Sequence, residues 1–246
     1  MEPLINCFDF QGKQVVSLIG SGGKTSLMWY LADCYRNQSV LVSTTTKIGC
    51  PVDRPHDYFY SSNFSNLGCD GQGITLAGRV CEGGYKLKSL PLPVFEELLP
   101  HFDKAFLEAD GSKQLPLKGW ETFEPVVLPK TTVTIGLIPI SAVGKNIDQM
   151  TVHRLALFLR ATGAIQGEKV KEETLAEIIA SPTGLWKKSH GQRILCINQV
   201  QTIEQLKQAK KVLALLPQML LKRLSKVIAC NVQTKEGIVL WEKLNN

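Results

Sequence analysis

Gly20-Ser21-Gly22-Gly23-Lys24-Thr25-Ser26 sets a glycine cluster directly before a lysine and two hydroxyl residues. Glycines let the backbone curl until successive N–H groups point at one anion. A lysine then adds a point charge for terminal phosphates, and a threonine hydroxyl can ligate Mg²⁺. The chemistry requires a strand before the loop and a helix after it. VVSLI (15–19) is a strand-like apolar run, and TSLMWYLADCY (25–35) has an apolar helical face. The start of that helix adds a favourable dipole for an anion. A dinucleotide loop would need a third glycine, where Thr25 stands, and an acid closing the next strand, where Ser43-Thr44-Thr45-Thr46 offers none. The remaining alternative is a plain glycine turn with an incidental lysine, which the strand before and the helix after disfavour.

Ligands of open parallel sheets lie beyond the carboxyl ends of the strands, so the residues there belong together. At the end of the second strand come Thr44, Thr45, Thr46 and Lys47, suited to Mg²⁺ or an anionic substrate. FLEADGSKQLPLKGW (106–120) ends an apolar run in acids. Glu108 and Asp110 share one face of an extended strand, where either can hold Mg²⁺ or act as general base. Lys113 and Lys118 follow as receivers of an anionic substrate. Asn198 closes RILCIN and is placed to contact a base, but Asn198-Gln199-Val200-Gln201 lacks the aspartate that reads guanine. His153-Arg154 opens an expected helix near the same edge. The four histidines show no metal-site spacing.

Six runs read as strands: 15–20, 39–45, 105–109, 132–138, 193–198 and 226–231. They are continuously apolar rather than alternating, as strands covered on both faces are. Helices are expected at 24–37, 94–100, 151–162, 172–180 and 202–216. The expected fold is therefore α/β: a three-layer, mostly parallel sheet with helices on both faces. Residues 49–92 interrupt this rhythm, with GITLAGRV (73–80) and turns at Asp70-Gly71 and Gly83-Gly84. They are expected to form a small antiparallel, β-rich insertion in a single nucleotide-binding domain, 1–246.

With 44% hydrophobic and 20% charged residues, the composition is that of a soluble globular protein. No apolar run reaches the ~18 residues of a membrane span, and no secretory signal is visible, so the expected location is the cytoplasm. Seven scattered cysteines form no C-x-x-C pair. Cys196 and Cys230 read as buried, whereas Cys50, Cys69 and Cys81 share the loop-rich stretch and are candidates to converge. Residues 1–150 hold 13 basic against 15 acidic residues, and 151–246 hold 15 against 7. In the basic half the lysines alternate with apolar residues, as on a solvated helix face, and stacking aromatics are few. Neither nucleic acid nor a membrane is expected as a partner.

The short loop form G-x-x-G-K-T, with Leu18 where the longer pattern has its first glycine, resembles the loop of the Mur ligases and the wider phosphate-loop (SIMIBI-like) NTPase group. VVSLIGSGGKTSL, VSTTTKI, FLEADGSKQLPLKG, VHRLALFLRATGA and ILCINQV, in that order over most of the chain, resemble the YqeC family. The resemblance implies a phosphate-loop nucleotide-binding fold that assists maturation of selenium-dependent molybdenum hydroxylases, through the molybdenum cofactor or selenium delivery. Two positions depart from the family pattern: Gln201 where an acid is frequent, and Leu155 where a proline is common. The expected activity is that of a Mg²⁺-dependent NTPase or NTP-dependent transferase or ligase using ATP or another nucleoside triphosphate. The alternative is a non-catalytic carrier of a nucleotide or molybdopterin-type nucleotide that docks on the hydroxylase.

Overall fold

The computed structural model describes residues 1–49, 54–62, 64, 71–81, 83–84 and 86–243. Cys50 and Cys69 lie outside the described residues, and with them the expected cysteine convergence. The first strands are β1 (Glu2–Pro3), β2 (Gln14–Gly20), β3 (Ser39–Thr44), β4 (Lys47–Gly49) and β5 (Tyr58–Tyr60). Next come β6 (Gly73–Ala77), β7 (Arg79–Val80), β8 (Lys86–Lys88), β9 (Lys104–Glu108) and β10 (Leu117–Lys118). The last are β11 (Val133–Pro139), β12 (Val152–His153), β13 (Gln192–Asn198), β14 (Lys226–Asn231) and β15 (Glu236–Glu242). The helices are α1 (Lys24–Cys34), α2 (Leu92–Leu98), α3 (Leu155–Thr162), α4 (Glu172–Ala180), α5 (Ile203–Leu215) and α6 (Gln218–Leu221).

Ten strands form one sheet in the order β1-β15-β14-β13-β11-β2-β9-β3-β6-β5. From β14 to β5 every pairing is parallel, and β15 and β1 close one edge antiparallel. The chain leaves β2 through α1 for β3, returns to β9 beside β2, then crosses to β11 on the other side. This reversal makes the carboxyl end of β2 a topological switch point, where open sheets of this kind leave a crevice.

Adjacent residues of the strands face opposite layers, which is why their sequences are apolar without a break. Phe106, Leu18 and Val42 pack with Leu27 and Leu31 of α1. Ile19, Ile138 and Leu195 pack with Leu175 and Ile179 of α4 and with Val212 of α5. Leu107 and Leu41, on that second face, meet Phe95 and Leu98 of α2. Full burial of each such side chain contributes about 1.5–3 kcal/mol. Among the described residues no helix is long and apolar enough to cross a membrane.

Two expectations change. GITLA, expected in an antiparallel insertion, is β6 of the main sheet and pairs parallel with β3, Ser39 opposite Gly73. All five of its residues are buried, so it needs cover on both faces, which a two-stranded hairpin does not provide. The antiparallel part is the small sheet β4-β8-β7, whose β7–β8 connection turns at Gly83 and Gly84, both with positive φ. The helix expected from residue 151 starts at Leu155. Val152–His153 pairs instead with Leu117–Lys118, and Arg154 has φ +58°, a left-handed conformation that a right-handed helix excludes.

Candidate functional site

The loop leaves β2 at Gly20, and Gly20, Gly22 and Gly23 take φ values of +97°, +74° and +127°. Space as well as conformation demands glycine. A Cβ on Gly20 would lie 2.1 Å from the Leu137 carbonyl oxygen, and one on Gly22 2.5 Å from the Pro139 ring. The Ser21 N–H donates to the Leu137 carbonyl (3.0 Å) and its hydroxyl to the Pro116 carbonyl (2.6 Å), tying the loop to β11 and to the segment before β10. Asn198 donates Nδ2 to the Gly22 carbonyl at 2.7 Å, while its Oδ1 accepts from the Val232 N–H at 3.1 Å. Helix α1 then begins at Lys24, with no side chain capping its first turn, so backbone donors remain there for an anion.

Glu108, the last residue of β9, and Asp110 just after it converge on Lys24. Its Nζ lies 3.2 Å from Asp110 Oδ1 and 3.7 Å from Glu108 Oε1, and donates to the Gly20 carbonyl at 2.6 Å. The two carboxylates nevertheless sit differently. Asp110 is fully buried. It accepts from the Gly20 N–H on both oxygens (3.1 and 3.0 Å) and from Trp120 Nε1 (2.7 Å), with Lys118 Nζ 3.3 Å away. Burial pushes its pKa up, but Lys24, Lys118 and these donors outweigh that and hold it below the ordinary carboxylate range. Glu108 accepts from the Thr25 hydroxyl at 2.6 Å and lines a cleft. Its pKa is raised, because burial exceeds the compensation from Lys24 and Thr25. For Lys24, burial opposes the charge, yet the Asp110 and Glu108 carboxylates together raise its pKa.

The charges continue beneath the cleft. Lys118, fully buried, bonds to the Gly111 carbonyl (2.6 Å) and Glu124 Oε2 (3.1 Å) and lies over the Trp120 ring. Glu124 in turn receives both terminal nitrogens of Arg154. From Arg154 through Glu124, Lys118, Asp110 and Lys24 to Glu108, the sign of charge alternates. Buried charges need such pairing to survive desolvation.

The cleft has a volume of about 1230 Å³. Of the residues singled out from sequence, Gly22, Gly23, Lys24, Thr25, Ser26, Thr45, Thr46, Lys47, Glu108, Lys113, His153 and Arg154 line it. Gly20, Ser21, Asp110, Lys118 and Asn198 do not: Gly20 and Ser21 open the loop on its far side, Asp110 and Asn198 brace it from behind, and Lys118 is buried in ion pairs rather than open to an anionic substrate. Asn198 therefore does not come to a base, since both ends of its amide are engaged within the protein. Thr45 donates its hydroxyl to the Val126 carbonyl at 2.6 Å, which fixes the wall of the cleft. The lining also includes Lys86, Phe123, Glu124 and Gln199. These lie in loops and in the small sheet; Gln199 stood in the stretch weighed for base reading, and no motif marked the other three. Trp120, which no motif marked either, is a large buried aromatic whose N–H finds its acceptor in Asp110.

Among the described residues no group of three or more His, Cys, Asp or Glu side chains is disposed to hold a metal ion. The donors at the loop, Thr25 Oγ1 and Glu108 Oε2, are hard oxygens. They fit Mg²⁺, which takes few protein ligands and completes its shell with water and substrate phosphate.

The family model described as YqeC protein matches residues 16–156, more than half of the chain. The chain belongs to the YqeC family. A relative from Escherichia coli (strain K12), called uncharacterized protein YqeC, is 27% identical over 184 residues, covering 70% of each chain. No solved structure matches. The YqeC match takes in the glycine loop, both acids, Lys118, Glu124 and Arg154, and stops before Asn198 and Gln199.

Proposed function

We propose that the protein binds Mg²⁺ with ATP or another nucleoside triphosphate at the Gly20–Ser26 loop and breaks a phosphoryl or nucleotidyl bond, as a phosphate-loop NTPase or an NTP-dependent transferase or ligase. One observation carries this reading. The Thr25 hydroxyl and the Glu108 carboxylate meet at 2.6 Å beside Lys24, at the start of α1 and at the switch point of the sheet. Backbone N–H groups of Gly22 and Gly23 and the Lys24 ammonium hold phosphate oxygens. Thr25 and Glu108 hold the metal, and bound Mg²⁺ would draw off charge developing on the phosphates. Asp110 positions Gly20 and Lys24 without touching the ligand. Thr46, Lys47 and Lys113 face the acceptor. The pathway, maturation of selenium-dependent molybdenum hydroxylases, is what the family resemblance supports.

A second reading is favoured by a different observation. Among the described residues the two carboxylates lining the cleft, Glu108 and Glu124, are each already engaged by internal cations or donors. Such a site suits carriage of a nucleotide or a molybdopterin-type nucleotide to the hydroxylase without turnover. Titration calorimetry with a non-hydrolysable ATP analogue and Mg²⁺, alongside phosphate release from ATP, tests both. Lys24→Ala should weaken binding by about 2–5 kcal/mol, the scale for truncating one partner of a buried charge pair. Unchanged affinity in Lys24→Ala would refute the phosphate-loop assignment. Tight binding without phosphate release would favour the carrier.

A further inference from the structure

The small sheet beside the loop carries an unbalanced charge pattern. In β4 and β8, Ile48 and Leu87 are buried while Lys47, Lys86 and Lys88 are exposed. The registry sets Lys47 directly opposite Lys88, and Arg79 of β7 opposite Lys88 on the other side. Residues facing each other across antiparallel strands project from the same face, so these four cations share one surface. Like charges placed directly opposite are destabilising. Among the described residues none of the four forms an ion pair with a carboxylate; Arg79 meets only the Ser89 carbonyl, at 3.0 Å. Lys47 and Lys86 line the same cleft as the loop, as does exposed Lys113.

The cleft offers room and a strained frame for a further ligand. Its volume of about 1230 Å³ exceeds the roughly 300–1,000 Å³ of ordinary small-molecule pockets. Among the described residues six non-glycine residues have positive φ, and four of them, Lys113, Gln114, Arg154 and Gln199, line this cleft. Such strain persists where the surrounding structure enforces it and gathers at ligand sites. His153, also in the lining, has its pKa lowered to about 4, first by burial and then by the Arg154, Lys118 and Lys113 cations.

We propose that the basic face of the β4-β8-β7 sheet, together with Lys113, binds a second ligand, a polyanionic small molecule, beside the nucleotide. The identity of the first ligand rests on the phosphate-loop reading; the second site does not depend on it. The repulsion among Lys47, Lys86, Lys88 and Arg79 is relieved when a polyanion lies over them, so binding weakens as salt screens the charges.

Equilibrium dialysis with radiolabelled inorganic pyrophosphate tests this on the full chain, with saturating non-hydrolysable ATP analogue and Mg²⁺ present. The loaded protein should take up pyrophosphate, and a Lys47→Gln/Lys86→Gln/Lys88→Gln variant, checked for folding by thermal unfolding, should bind it at least ~10-fold more weakly, from three exposed charge contacts. Pyrophosphate that binds only by displacing the ATP analogue overturns the proposal, as does a triple variant that binds it like the parent. Failure of the analogue to bind the parent would refute the phosphate loop alone. In that case, pyrophosphate uptake kept in Lys24→Ala but lost in the triple variant upholds the second site, and the reverse pattern overturns it.

Discussion

Replacing Asp110 by asparagine should unfold the protein far more readily than replacing its neighbour Glu108 by glutamine, although both acids touch Lys24. In Asp110→Asn, Lys24 Nζ at 3.2 Å and Lys118 Nζ at 3.3 Å both lose a buried counter-charge. One acceptor oxygen also becomes a donor aimed at the Gly20 N–H or the Trp120 N–H. Breaking a buried charge pair this way costs about 3–5 kcal/mol. For a chain of this length each kcal/mol lowers Tm by about 2–4 °C, so a fall of roughly 6–20 °C is expected. Glu108→Gln keeps an acceptor for Thr25 and leaves Asp110 beside Lys24. Because burial already disfavours the Glu108 charge, its loss should cost about 1 kcal/mol, the scale of one ordinary hydrogen bond. Circular dichroism melts at pH 7 measure both. The pH dependence adds a sign. Asp110 has a lowered pKa, so its contribution is full above the ordinary carboxylate range and is lost as pH falls through the lowered value. The gap between parent and Asp110→Asn should therefore close on acidification. A Tm for Asp110→Asn within ~2 °C of the parent, or a larger loss in Glu108→Gln, would refute this division of roles.

Gly22→Ala should cost about 1–3 kcal/mol in a urea titration and abolish binding of the ATP analogue, since φ is +74° and the new Cβ would meet the Pro139 ring at 2.5 Å. Asn198→Ala leaves the buried Val232 N–H without its acceptor, at a cost of about 1–3 kcal/mol; hydrogen exchange should speed up at Val232 and in the loop. His153 should stay neutral down to about pH 4 by NMR titration, because burial, then Arg154 and Lys118, depress its pKa from the usual 6.5. The unfolded chain takes up that proton first, so stability falls as pH drops through this window. His153→Gln should lose this part of the slope.

Much of the frame is legible in the residues themselves. The six uninterrupted apolar runs become main-sheet strands because a strand covered on both faces needs apolar side chains on both. The glycine loop is legible because positive φ followed by a lysine-threonine helix start is written locally, within seven residues. The pairing of β6 is not legible: GITLA fits a hairpin or a sheet strand equally, and its partner β3 is chosen by contacts distant in sequence.

The sequence by itself determined that a glycine-rich loop ending in lysine and threonine stands between a strand and a helix, with two acids arriving from another strand. Only the tertiary structure decided which acid faces the cleft. Glu108 and Asp110 are chemically alike, but Trp120 and Lys118, carried under the loop by the segment through β10, satisfy Asp110 and leave Glu108 to Thr25. The same holds for Asn198. Its position after a strand was plain, yet its amide turns inward because Gly22, 176 residues away in sequence, and Val232, 34 away, meet it in space. A side chain's type is local; what it faces is set by the packing of distant strands.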